Sequence, residues 1–228
     1  EHPVTEMIFG EDLVEWQLRV AAGEDLPLGQ GELEILGHAI EVRLYAEDPA
    51  RGFMPATGTL AHLRFPEESA HVRVDTGVEE GDEVSVHYDP MIAKLIVWDE
   101  TRDAALRRLR GALAETQVVG VTTNAAFLAA IAGHPAFAAG EVDTGFIDRH
   151  MAELSPEPGA VPDRVLAVAA IHVLLAQGEA AAKAAAGSAD PHSPWHDTGG
   201  WRLNDEGRQV LGFEAGGETI AVTVPYGR

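Results

Sequence analysis

The 228-residue sequence contains no cysteine. That absence removes disulfide frameworks, thiolate nucleophiles and thiolate metal sites together. Basic side chains are also scarce: 16 Lys and Arg face 37 Asp and Glu, a formal charge of −21. A chain of that sign repels phosphodiester backbones and anionic lipid headgroups, so neither nucleic acid nor a membrane is an expected partner. Any anion it binds must be held by a local cluster of Arg, Lys or backbone donors. No apolar run approaches the roughly 20 residues that cross a bilayer, and no charged-then-apolar leader opens the chain, so a soluble intracellular protein is expected. There is no Gly-rich phosphate loop and no repeat of solenoid period. The histidines lack ligand spacing, so no metal site is expected from them. The chain begins at Glu1 rather than at methionine, which suggests part of a longer polypeptide.

What is present divides by periodicity. Leu13, Val14, Trp16, Leu18 and Val20 predict a helix over 12–22, with Gly23 at its left-handed end. Over 32–45 the period becomes two, with Ile40, Val42 and Leu44 on one face and Glu41 and Arg43 on the other. Residues 47–58 hold two prolines and two glycines and read as an irregular loop. Residues 59–65, 70–75 and 83–87 read as short strands, and 91–98, apolar except for Lys94, as a buried one. Ala105, Leu109, Ala112 and Leu113 mark a helix over 102–115. A further helix is predicted over 121–132, capped by Thr122 or Thr123. The mixture is α+β. Residues 155–162, with three prolines and a glycine, read as a linker between a domain at 1–154 and a second at 163–228. In the second, 163–186 is Ala- and Leu-rich and helical, with Gly178 a candidate interruption. Residues 201–203, 209–213 and 219–224 then read as short strands, too few to close a sheet or barrel.

The string Glu1-His2-Pro3-Val4-Thr5-Glu6, continued by Gly10, Asp12-Leu13, Gln17-Leu18-Arg19 and Ala21-Ala22-Gly23, resembles the signature of biotin carboxylases of the ATP-grasp superfamily. So do Gly37-His38-Ala39-Ile40-Glu41-Val42-Arg43-Leu44-Tyr45-Ala46-Glu47-Asp48-Pro49 and Pro55-Ala56-Thr57-Gly58. His87-Tyr88-Asp89-Pro90-Met91-Ile92-Ala93-Lys94-Leu95 and Gly120-Val121-Thr122-Thr123-Asn124 extend the similarity over nearly all of 1–150. The resemblance implies the C-terminal lobe of an ATP-grasp biotin carboxylase, with biotin, ATP and Mg2+ or Mn2+ as cofactors and bicarbonate as carboxyl donor. It places Glu1 where the family has its general base, suited to taking the proton of bicarbonate. It places Arg43 where the family stabilises the biotin enolate, a task for a permanent cation. By its own residues Arg43 reads equally as a strand arginine paired with Glu41 or Glu47. Tyr88 and Asp89 fall near the biotin entrance or a subunit contact, although Asp-Pro is also a common turn. Lys94 is a substrate lysine or a snorkelling one. Arg73 joins a dimer surface or an exposed ion pair. Phe9 departs from the small hydroxyl residue of relatives and leaves Gly10 as a poorer cap for the helix that follows. The nucleotide and metal sites are expected before Glu1, and the biotinylated lysine beyond Arg228.

After the linker, Ser193-Pro194-Trp195 and Gly200-Trp201-Arg202-Leu203-Asn204, with Phe137-Ala138-Ala139-Gly140-Glu141-Val142-Asp143-Thr144-Gly145-Phe146-Ile147 before it, resemble the biotin-containing subunits of methylcrotonyl-CoA carboxylases. Propionyl-CoA and geranyl-CoA enzymes are rivals. The likeness implies a long helix and an incomplete small β-barrel that dock a carboxyltransferase beta subunit, and a homodimer through the first domain. Trp195 and Trp201 serve there as interface anchors or as core. The compartment implied is the cytoplasm, or the mitochondrial matrix in a eukaryote. A non-catalytic docking module for this stretch, or another ATP-grasp ligase, are the competing readings.

Overall fold

Helix α1 (Val4–Phe9) opens the computed structural model, which describes residues 2–155, 159–200, 207–215 and 217–226. Gly10 closes this helix in the left-handed region, at φ 74°. Helix α2 (Leu13–Ala21) begins on Asp12, whose Oδ1 accepts the N–H groups of Val14 and Glu15 at 2.9 Å each. The expectation that Gly10 caps this helix is thereby corrected: Gly10 ends α1, and a carboxylate two residues on satisfies the orphan amides of α2.

Strand β1 (His38–Tyr45) starts later than its periodicity predicts. Gln30–Glu32 forms a 3-10 turn, and Gly37 lies at φ 69° where a Cβ would sit 2.6 Å from the Trp98 ring. The strands that follow are β2 (Glu47–Asp48), β3 (Met54–Pro55), β4 (Gly58–Thr59), β5 (His62–Arg64), β6 (Val72–Thr76), β7 (Glu83–Val84) and β8 (Met91–Asp99). After them come α3 (Arg102–Glu115), β9 (Gln117–Val119), α4 (Ala125–Gly133), α5 (Pro135–Ala138) and α6 (Phe146–Leu154). β2 and β3 pair inside the stretch predicted as loop. The single strand predicted over 59–65 is two, because β4 pairs with β7 and β5 with β9. Helix α4 begins with Asn124 rather than Thr122 or Thr123 at its N-cap, and the Asn124 side chain makes no cap bond.

β8 is the centre of an antiparallel sheet of order β1-β8-β6. One face is apolar: Ile40, Val72, Leu95 and Val97 pack against Leu106, Leu109 and Leu113 of α3. Each such fully buried side chain contributes about 2 kcal/mol of transfer free energy, which is what holds the sheet to its helix. The other face carries Glu41 and Arg43 of β1, Lys94 of β8 and Arg73 and Asp75 of β6, in register. Helix α1 meets this charged face through Glu6. Phe127, Phe146 and Leu154 form a further apolar cluster between α4 and α6.

The chain divides into two compact units, Glu1–Glu157 and Pro158–Arg228. The second contains α7 (Asp163–Ala186), which Gly178 does not interrupt, and an antiparallel pair, β10 (Arg208–Ala215) and β11 (Glu218–Pro225). The strand predicted over 201–203 lies outside the described residues. The absence of a membrane-length apolar run is corrected for α7, which by length and composition alone is apolar enough to cross a bilayer, an 18-residue window of it having mean hydropathy 1.7. Arg164, His172, Gln177 and Glu179 break its run of apolar residues while the alanines and leucines between them keep the mean high.

Candidate functional site

The charged face of the sheet is a network of committed ions. Arg73 grips Asp75 through Nε at 2.7 Å and Nη2 at 3.2 Å, and reaches Glu6 Oε2 through Nη1 at 3.4 Å. Lys94 Nζ lies 3.4 Å from the same Asp75 carboxylate and is 15% exposed. Burial opposes ionisation of Asp75, but the hydrogen bonds and charge of Arg73, then those of Lys94, outweigh it and hold the carboxyl below its ordinary range. Both residues therefore work as ion-pair partners within the fold.

Arg43 lies directly across the ladder from Lys94 and is exposed near the end of β1. The pairing with Glu41 expected from spacing runs through a third residue. Arg43 Nη2 lies 3.4 Å from His2 Nε2, and His2 Nδ1 lies 2.9 Å from Glu41 Oε1. A guanidinium only donates, so Nε2 accepts and Nδ1 carries the proton that Glu41 receives. The second oxygen of Glu41 is buried without a hydrogen-bond partner among the described residues. Glu1, the proposed base, lies outside the described residues. Its neighbour His2 is the part of that motif seen to meet Arg43.

Behind Arg43 sits a residue that sequence reasoning named only within a motif. Asn124 is 4% exposed, and its Oδ1 accepts the N–H of Tyr45 at 3.0 Å. Its Nδ2 donates to the carbonyl of Arg43 at 3.2 Å and to Glu47 Oε1 at 2.9 Å. Burial pushes the Glu47 carboxyl up, and the Asn124 amide offsets part of that rise. Gly120 makes the arrangement possible: at φ 112°, any Cβ there would fall 1.9 Å from the carbonyl oxygen of Thr59.

Tyr88 and Asp89 lie on the loop entering β8. Tyr88 is 83% exposed, and Asp89 Oδ1 accepts the N–H of Met91 at 2.9 Å, an Asx turn. Pro90 accepts the N–H of Ala46 at 2.9 Å, which brings this loop to the same end of the β1–β8 ladder as Arg43.

A cluster that spacing did not foretell joins α5 and α6. His134 Nε2 lies 3.3 Å from Glu153 Oε2, and His150 Nδ1 3.6 Å from Glu153 Oε1, close enough to share an ion. His134 Nδ1, however, accepts the N–H of Ala136 at 3.3 Å. In a neutral ring that leaves the proton on Nε2, opposite to the tautomer a metal ligand needs. The cluster reads as a histidine–carboxylate hydrogen bond beside Phe146, whose ring centroid is 5.3 Å from that of His134.

Among solved structures, the first unit matches the biotin carboxylase domain of Hydrogenobacter thermophilus 2-oxoglutarate carboxylase, described as a dimer with MgADP, ADP and bicarbonate. The TM-score is 0.65 at 39% identity, covering 69% of this chain and 35% of that one. The class is thus an ATP-grasp-type biotin carboxylase lobe. Residues 41–149 match the biotin carboxylase C-terminal domain, and 162–228 the BT domain of the methylcrotonyl-CoA carboxylase alpha-subunit. The chain belongs to the biotin-dependent carboxylase family. It is 47% identical over 226 residues to the mitochondrial methylcrotonoyl-CoA carboxylase subunit alpha of Dictyostelium discoideum, covering 99% of this chain and 32% of that one. Over 154 residues it is 60% identical to the Oryza sativa counterpart, covering 68% and 21%. The chain therefore spans about a third or less of the length of these relatives.

Proposed function

We propose that the protein containing this chain carboxylates biotin with bicarbonate at the expense of ATP and passes the carboxyl group to an acyl-CoA, with methylcrotonyl-CoA favoured. The observation carrying this reading is that one set of relatives, methylcrotonoyl-CoA carboxylase alpha subunits, matches continuously across both units, 99% of the chain in the Dictyostelium case. Propionyl-CoA and geranyl-CoA remain the alternative substrates, because the first unit is common to many carboxylases. When bound, ATP supplies the phosphoryl group that activates bicarbonate. Glu1 takes the proton of bicarbonate. Arg43 offsets negative charge on the ureido oxygen of biotin, for which its exposed guanidinium at a strand end is suited. Tyr88 and Asp89 face the approach to that end of the ladder. Asp75 and Glu6 are held by Arg73, and Glu41 by His2, so Mg2+ or Mn2+ and the ATP phosphates are assigned to other parts of the polypeptide.

The same reading assigns α7 as the long helix, and β10 and β11 to an incomplete small β-barrel after it, of a region that docks a carboxyltransferase beta subunit. Residues 155–162 are read as the linker between 1–154 and 163–228. The first domain supports a homodimer, and the compartment is the cytoplasm, or the mitochondrial matrix in a eukaryote. As an isolated stretch it would act as a dimerisation and docking module without turnover.

The test is Arg43→Gln in the full-length enzyme. Carboxylation of free biotin is expected to fall at least ~100-fold, the scale of losing one transition-state donor, while bicarbonate-dependent ATP cleavage without biotin persists. Unchanged biotin carboxylation would remove Arg43 from the mechanism. A panel of acyl-CoAs then decides the substrate: turnover of propionyl-CoA without methylcrotonyl-CoA overturns the favoured assignment.

A further inference from the structure

A guanidinium is only as well placed as the backbone that carries it, and the ladder beneath Arg43 is about to fail. Between Leu44 and Tyr45 the β1–β8 register shifts. Such an irregularity leaves backbone groups unpaired and lets the strand bend. Here the groups on either side turn to Asn124. The N–H of Tyr45 donates to Asn124 Oδ1 at 3.0 Å, and the carbonyl of Arg43 accepts from Nδ2 at 3.2 Å. The backbone N–H of Asn124 closes on the carbonyl of Tyr45 at 3.2 Å, and Nδ2 also donates to Glu47 Oε1 at 2.9 Å. Both side-chain amide hydrogens and the backbone donor are thus committed.

The alternative use of this side chain is visible and declined. Asn124 occupies the N-cap of α4, where an Asn side chain ordinarily accepts a helix amide for about 1 kcal/mol, yet it makes no cap bond. It serves the strand end instead.

We propose that Asn124 is a positioning residue for biotin carboxylation: it fixes the backbone on both sides of Leu44 and so sets where the Arg43 guanidinium meets the ureido oxygen. This rests on the role given to Arg43 above. Misplacing such a donor by an ångström lowers turnover up to about 100-fold, so a buried clamp on its backbone has a kinetic consequence.

The experiment uses the full-length enzyme with Asn124→Ser, Asn124→Asp, Arg43→Gln and the Asn124→Ser/Arg43→Gln double variant. Carboxylation of free biotin is normalised to bicarbonate-dependent ATP cleavage without biotin in the same preparation, which corrects for misfolded protein. The expected result is a normalised loss of ~10- to 100-fold for Asn124→Ser and Asn124→Asp. In the Arg43→Gln background, Asn124→Ser adds no further loss, because a residue acting only through Arg43 has nothing left to position. Loss of both activities in parallel, or full additivity in the double variant, would show a merely structural residue and overturn the proposal. If Arg43→Gln is impaired and Asn124→Ser is not, the positioning role alone falls. If Arg43→Gln retains full biotin turnover, the reading of the site falls and takes this inference with it. Asn124→Asp keeps an acceptor for Tyr45 and tests the role should the serine variant fail to fold.

Discussion

Two carboxylates of the first unit respond to pH in opposite senses. Asp75 is held below its ordinary range in the folded state, so its pairs with Arg73 and Lys94 contribute stability above the unfolded carboxylate value. That contribution is lost as pH falls through the lower folded value. Asp75→Asn is expected to cost about 1 kcal/mol at neutral pH, a figure kept small because the Arg73 side chain is 43% exposed. In denaturant unfolding across pH, the gap between wild type and variant is constant above about pH 5 and shrinks on acidification. A gap independent of pH would contradict the network. Glu47 has the reverse sign. Its folded carboxyl is raised by burial, so ionising it costs stability as pH rises through that folded value. Glu47→Gln abolishes this loss in the same measurement.

At the scale of elements, the most exposed dependence is the approach of Gly120 to β4. Gly120→Ala places a methyl group 1.9 Å from the Thr59 oxygen at a φ of 112°, and is expected to cost at least about 2 kcal/mol in thermal unfolding. Asp12→Ala, removing the cap of α2, is expected to cost about 1 kcal/mol. The contrast between α3 and the small strands explains what could be read in advance. α3 runs over Arg102–Glu115, as its apolar spacing predicts, because a helix satisfies its own backbone and its boundary is local. The break at Leu60 and Ala61 was invisible because it is set by Val84 and Val119, partners distant in sequence. The place of Arg43 on the charged face was legible in the alternation of β1. Asn124 was not, since an asparagine after two threonines matches a helix start as well as it matches a clamp on another strand. The His134–Glu153 pair escaped for the same reason, its partners being brought together by the packing of α6.

For the whole molecule, carboxyltransferase docking falls, as proposed above, on the second unit. Trp195 is 93% exposed, so of its two readings core packing does not describe it here. Trp195→Ala in the full-length subunit is expected to weaken binding of the carboxyltransferase beta subunit by about 30-fold, the scale of a buried aromatic anchor, with biotin carboxylation unaffected. Titration calorimetry with the two subunits checks it, and unaltered affinity would remove this indole from the interface. The formal charge of −21 adds a general constraint, since a beta-subunit surface that meets this chain must tolerate a strongly negative partner.

The tie between Arg43 and Asn124 spans 81 residues of chain. During vectorial synthesis at about 5–20 residues per second, the arginine therefore leaves the ribosome roughly 4–16 s before its clamp exists. For that interval the nascent strand has unsatisfied amides that neighbouring polypeptides could pair with, so this end of the sheet is a segment in need of chaperone cover.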